Sequence, residues 1–153
     1  MIGLLQRVAH ARVEVAGETM GAIGAGLLVL IGVERDDDEG AGERLLERLL
    51  GYRVFADAEG RMNRSLADTG GGLLLVPQFT LAADTRKGSR PGFSTAAAPA
   101  DAARLFATVC DRAQASHPDV ACGRFGADMQ VHLCNDGPVT FTLRVAPGSR
   151  PAG

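Results

Sequence analysis

Three histidines, three cysteines and one short basic run are the first places to look for chemistry in this chain. His10, His117 and His132 have no evident acidic partner to orient an imidazole, and His132, on a strand, is the one considered as a general base. His10 is expected in a strand connection, and His117, just before Pro118 at a helix end, is expected to be exposed. Cys110, Cys122 and Cys134 recur at intervals of twelve with no C-x-x-C, so they read as small core hydrophobes rather than as zinc ligands. Their odd number argues for a reducing compartment. There is no G-x-S-x-G elbow, no H-E-x-x-H and no Walker loop. The run Arg86-Lys87-Gly88-Ser89-Arg90 reads as a solvated loop or as a phosphate contact.

Two segments break local rules, and such places are where function tends to sit. In Pro77-Gln78-Phe79-Thr80-Leu81 a proline interrupts an apolar strand and removes a ladder hydrogen bond, which implies an edge, a bulge or a strand end. The backbone N–H groups of Gln78, Phe79 and Thr80 are then available as fixed donors of the kind an oxyanion hole uses. The same segment also reads as a plain edge strand ending, and the physics of the residues alone favours that. Thr80 as a nucleophile lacks an adjacent base. The second segment is Gly137-Pro138, an X-Pro bond of the type that adopts cis in some tight turns.

The elements that must position these residues follow from hydrophobic periodicity. Strands are expected at Ile2 to Val8 and Val13 to Glu18, with turns through Gly21-Ala22-Ile23-Gly24-Ala25-Gly26, whose G-x-x-G-x-G order does not fit a dinucleotide loop. The continuous apolar run Leu27 to Val33 predicts a strand covered on both faces. Asp36, Asp37 and Asp38 supply cap and dipole chemistry for a helix over about Glu39 to Tyr52, with Leu45, Leu46, Leu49 and Leu50 as its buried stripe. A short strand at Arg53 to Ala56 and an apolar strand at Leu73 to Leu81 follow. Pro99 suits the first turn of a helix running to about Ala115, with Leu105, Phe106, Val109, Cys110 and Ala113 inward. Two alternating strands, from Met129 to Cys134 and Val139 to Val145, flank Asn135-Asp136-Gly137-Pro138, which the turn rules make a hairpin tip.

The fold class expected is mixed α/β, an antiparallel-rich, barrel-like sheet with two to three helices, in one domain over 1–145 and a flexible Pro/Gly-rich tail over 146–153. At 153 residues, 46% hydrophobic and 22% charged, the chain suits a single globular unit. The N-terminal residues do not resemble a signal peptide, and no apolar run is long enough for a membrane span. A net charge of −2 excludes broad cationic coating of nucleic acid but allows one end of an RNA to be gripped.

From Met1 through about Val145 the sequence resembles the bacterial D-aminoacyl-tRNA deacylases. Gln78-Phe79-Thr80-Leu81 matches the family's S-Q-F-T-L motif, and Asn135-Asp136-Gly137-Pro138-Val139-Thr140 matches its N-x-G-P-V-T motif. Gln6-Arg7-Val8 and the residues Phe125, Ala127, Asp128, Met129 and Gln130 agree as flanks. The resemblance implies a cytoplasmic homodimer with its active site at the subunit interface, acting on the acceptor end of aminoacyl-tRNA without cofactor or metal. It implies a cis Gly137-Pro138 element that enters the partner's site and excludes L-amino acids, held in place by Arg7. Backbone N–H groups around Gln78 and Phe79 would hold the ester carbonyl, with the 2′-hydroxyl of the terminal adenosine assisting. Phe79 would pack on the adenine or shape the pocket, Thr80 would line it, and Met129 and Asn135 would support it. Glycine attached to the wrong tRNA would pass the filter. Pro77 departs from the family's usual serine; a related animal deacylase of relaxed chirality also has proline there, but with alanine where this chain has Phe79. The alternatives are that relaxed activity and a non-enzymatic nucleic-acid-binding module of the same fold.

Overall fold

The computed structural model describes all 153 residues. Strand β1 (Ile2–Val15) turns through Ala16 and Gly17, both at positive φ, into β2 (Glu18–Ile23), followed by β3 (Gly26–Gly32) and helix α1 (Glu39–Gly51). Short strands β4 (Phe55–Ala56) and β5 (Met62–Arg64) pair with each other and lead to the one-turn helix α2 (Leu66–Thr69). Strand β6 (Gly72–Pro77) enters a 3-10 turn (Phe79–Ala82), and helix α3 (Pro99–Ser116), β7 (Val120–Cys122) and β8 (Gln130–Arg144) complete the chain.

The main sheet has six strands in the order β2-β1-β3-β6-β7, with β8 along the other edge of β1. Its length explains the topology. The first half of β1 pairs antiparallel with β3, its second half pairs with β2, and β8 follows it from Glu14 back to Ile2. The β3–β6 and β6–β7 pairs are parallel. Strand β2 curls back towards β6 and β7, so the sheet nearly closes; a Cβ placed on Gly21 would lie 3.0 Å from that of Ala121.

Several expectations change here. His10 is not in a connection but inside the single strand β1, opposite Cys134, and Gly21 lies within β2. The expected hairpin at Asn135-Asp136-Gly137-Pro138 does not form: both flanking segments belong to β8 and pair with the same strand β1. Between the Gln6↔Thr140 and Val8↔Asn135 pairs, β1 advances by two residues and β8 by five, so the segment bulges out of the ladder. The turn-forming residues serve a bulge instead of a reversal. The strand expected to reach Leu81 stops at Pro77. His117 is buried rather than exposed, with Nε2 2.6 Å from the Gly71 carbonyl oxygen.

Each parallel strand is covered on both faces, as its unbroken apolar sequence requires. Leu27, Val29, Ile31, Leu73 and Leu75 face α1 and α3 in the larger core, with Leu45, Leu49, Leu105, Phe106 and Val109. Leu28, Leu74 and Val76 face the barrel interior with Val8, Val13 and Ile23. Asp38 alone caps α1, accepting from Ala41 N at 2.9 Å, whereas Asp37 accepts from the Met1 ammonium at 2.6 Å. Only Cys110 of the three cysteines is a buried core residue; Cys122 is half-buried and Cys134 exposed. The last residues run along α1, with Arg150 2.7 Å from the Ser149 carbonyl and 3.1 Å from Asp38, and Ala152 N donating to Glu47 at 3.0 Å.

Where β3 and β6 begin, Gly26 opposes Gly72, and a Cβ at 26 would overlap the Gly72 backbone, its carbonyl oxygen most of all. Gly24, two residues earlier, has open space around it. Gly26→Ala is expected to lower unfolding free energy by about 3 kcal/mol or more, as overpacking against fixed backbone does. Gly24→Ala should stay within about 0.5 kcal/mol of the parent. Urea unfolding of both variants checks the contrast, and a Gly26→Ala protein of parental stability would refute the close approach.

Candidate active site

Pro77 closes the parallel ladder, sitting opposite Ile31. The next N–H, that of Gln78, is not free as expected: it donates to the Ile31 carbonyl at 2.8 Å. The chain then tightens into the 3-10 turn, where Leu81 N bonds back to Gln78 O and Ala83 N to Thr80 O. The first residues of such a turn have no preceding carbonyl to bond. Phe79 and Thr80 therefore supply the two unpaired main-chain donors, and neither makes a backbone bond outside the turn. The Gln78 side-chain amide donates to the Thr80 hydroxyl. That contact occupies the hydroxyl with an amide and gives it no base.

Beside this segment lies a cavity of about 260 Å³, whose walls include Pro77, Gln78, Phe79, Phe125, Met129 and Val131. Gly123 packs behind two of these wall residues, since a Cβ there would lie 3.0 Å from the Met129 sulfur and 3.3 Å from Pro77 Cδ. Phe79 is 56% exposed and its ring rests on Phe93, with ring centroids 5.1 Å apart. The cavity thus unites the first motif with the Phe125–Met129 flank. Thr80 and the Gly137-Pro138 pair do not line it within one chain.

The bulge in β8 is built with its own clasps. Asn135 Oδ1 accepts from Val139 N at 2.8 Å and its Nδ2 donates to Thr140 Oγ1 at 2.9 Å, closing a small ring around Gly137 and Pro138. Gly137 has φ +149°, and the bond to Pro138 is cis. A Cβ at 137 would lie 2.6 Å from Val139 Cγ2 and 2.8 Å from Val139 N, so only glycine fits without displacement. Arg7, largely buried under the bulge, donates from Nε to the Asp136 carbonyl at 2.9 Å and from Nη1 to the Val54 carbonyl at 2.6 Å. Gly137 and Pro138 are themselves exposed at the tip.

The charged groups nearby sort differently from the sequence expectation. His132 does have an acidic neighbour, Glu14, with Nε2 to Oε2 at 3.3 Å, and Arg12 is the main reason the Glu14 carboxyl titrates below its usual range. Arg86 is clamped by both oxygens of Asp84 at 2.8 Å, which holds that carboxyl far below its usual range and leaves Lys87 and Arg90 as the unpaired cations of the basic loop. Phe93 carries little sequence signal, because an isolated aromatic in a Pro/Gly-rich stretch has no periodicity; its one mark is that a phenylalanine stands where nothing local can bury it.

The family model for D-Tyr-tRNA(Tyr) deacylase matches residues 4–144. A protein of Stutzerimonas stutzeri (strain A1501) named D-aminoacyl-tRNA deacylase is 67% identical over 143 residues, covering 94% of this chain and 99% of its own. One of the same name from Pseudomonas entomophila (strain L48) is 66% identical over 145 residues, covering 95% and 100%. Among solved structures, the c-Myc DNA unwinding element binding protein superposes with a TM-score of 0.91 at 36% identity, over 95% of this chain and 99% of that one. A probable eukaryotic D-amino acid tRNA deacylase shares the fold at TM-score 0.76 and 21% identity, over 93% and 97%. With both motifs placed and the match running almost end to end, the chain belongs to the D-Tyr-tRNA(Tyr) deacylase family.

Proposed function

We propose that this protein hydrolyses the ester of D-aminoacyl-tRNA, releasing the free D-amino acid and restoring the 3′ end of the RNA. The single observation that carries this reading is the pair of unpaired N–H donors at Phe79 and Thr80 beside a cavity large enough for a nucleoside fragment. Those donors stabilise the oxyanion that forms when water attacks the ester carbonyl. No side chain is placed to act as base, so the 2′-hydroxyl of the terminal adenosine assists the attack. Phe79 offers its exposed face to the adenine, and Met129 walls the cavity behind it.

Two copies make one complete site in this reading. The exposed Gly137-Pro138 tip of one subunit enters the site of the other, where its carbonyl oxygens crowd the position an L-side chain needs and leave a D-side chain free. Exclusion by backbone suits this task, because Arg7 and Asn135 fix the bulge from behind. Achiral glycine passes the same filter, so mischarged glycyl-tRNA is a substrate too. Val131 and Phe141, exposed on β8, supply apolar surface for the subunit contact. The protein works in the cytoplasm, where its RNA substrate is.

Matched D- and L-aminoacyl-tRNAs give the deciding measurement. The wild type should favour the D-ester by about 10³ or more, roughly 4 kcal/mol. Gly137→Ala should cut D-ester hydrolysis severely while far-UV dichroism stays parental. Equal rates on the two esters would instead install a relaxed-chirality deacylase, the activity to which Pro77 points. No hydrolysis of either, with retained nucleic-acid binding, would favour the binding-module reading that the name of the c-Myc element binding protein suggests.

Substrate ending in 2′-deoxyadenosine should be turned over far more slowly than its ribose counterpart. Thr80→Ala should lose less than the ~10³-fold expected for removing a nucleophile, and chelators should leave the rate unchanged. A dead Thr80→Ala enzyme together with normal deoxy-substrate turnover would reverse the roles.

Light scattering should find a dimer at micromolar concentration, with activity falling as dilution dissociates it. A fully active monomer would remove the shared site.

A further inference from the structure

A second cleft opens on the far side of Phe79. It has a volume of about 570 Å³, and Arg35, Phe79, Phe93, Pro99 and Asp101 stand in its walls. Phe79 is thus a partition with one cavity on each side. Phe93 is 43% exposed although it touches Phe79, so an aromatic face is left open to the cleft. Arg35 is exposed and makes no ion pair, unlike Arg86 in the neighbouring loop. Lys87 and Arg90 lie further along that loop, which returns to the cleft wall through the Asp84–Gly92 bridge.

The walls are also rigid. The main chain at Arg35 donates to Thr95 O at 3.0 Å, Ala97 donates to Val33 O at 3.1 Å, and the Thr95 hydroxyl bonds to the Ala82 carbonyl. The main chain that carries the unpaired guanidinium and the half-exposed phenyl ring, which rests on Phe79, is therefore held in place. An exposed aromatic beside an unpaired cation is the combination that single-stranded nucleic acid uses, one stacking a base and the other taking a phosphate. Leaving two phenylalanines bare has no return in stability for the free chain, since each forgoes burial.

We propose that this cleft is a nucleotide subsite for the residue preceding the terminal adenosine of the substrate RNA, with its base on Phe93 and its phosphate on Arg35. Asp101 sets the orientation: its carboxylate repels the phosphate towards Arg35 and accepts from the exocyclic amine of the base. The terminal adenosine occupies the first cavity, and the chain of the RNA passes over the Phe79 partition towards Lys87 and Arg90. The assignment rests on the aminoacyl-tRNA reading above and adds to it where the second nucleotide goes.

The test compares D-aminoacyl esters of adenosine alone and of the trinucleotide CpCpA, using wild type, Arg35→Ala, Phe93→Ala and Phe93→Trp. Arg35→Ala and Phe93→Ala should each reduce the preference for the trinucleotide ester, as the ratio of kcat/KM values, by about tenfold, the size expected from losing one stacked base or charged contact. The loss should fall on KM, and Phe93→Trp should restore the preference. An unchanged ratio in both alanine variants would overturn the subsite. So would equal losses on both esters, which would mean that Phe93 only props Phe79. Should wild type hydrolyse neither ester, the deacylase reading falls by itself, and anisotropy of unacylated, fluorescein-labelled CpCpA still decides the cleft. Weaker binding by both alanine variants would uphold it, and parental binding would overturn it.

Discussion

Between Val8 and His10 the β1–β8 ladder gains one residue on β1, and between Gln6 and Val8 β8 carries more residues than β1 can pair. Proline has no N–H to give a ladder, and Gly137 at φ +149° cannot follow the pleat of a regular strand. The excess therefore leaves the sheet as a bulge, and its backbone groups need other partners. Asn135 meets that need from within, and Arg7 from the strand below. Arg7 lies on β1, whose other edge carries β3, and β3 in turn positions β6. The exposed tip and the donor turn after Pro77 are consequently referenced to one rigid strand.

The parallel half of the sheet imposes the complementary limit. Gly26 and Gly72 allow β3 and β6 to start at backbone contact, and Pro77 marks where they part. Between these points the side chains alternate between the two cores, all buried except the partly buried Leu30, so neither strand can slip by a residue without exchanging its two cores. The 3-10 turn begins at a fixed height above this double core, with Gln78 still tied to Ile31.

Much of this was legible in the sequence. Capping at Asp38, Pro99 in the first turn of α3 and the stripe from Leu105 to Ala113 are local signals, and the structure follows them. The disruptive effect of Pro77 was legible for the same reason. What stayed hidden was non-local. No turn rule distinguishes a reversal from a bulge, because Asn-Asp-Gly-Pro suits both; only the length of β1 decides. The identity of the free donors was also hidden, since Ile31 lies 47 positions from Gln78 and takes its N–H from an adjacent strand. His117 and His132 misled for a like reason: the Gly71 carbonyl and Glu14 are distant in sequence and near in space.

The donors at Phe79 and Thr80 exist because of where a helical turn begins, not because of which side chains stand there. Any residue with an amide hydrogen supplies them equally, so natural variation at these two positions can reshape the walls while the donors persist. Proline is the one ordinary replacement that deletes a donor outright. A pair of donors of this kind is set by chain geometry rather than by residue identity.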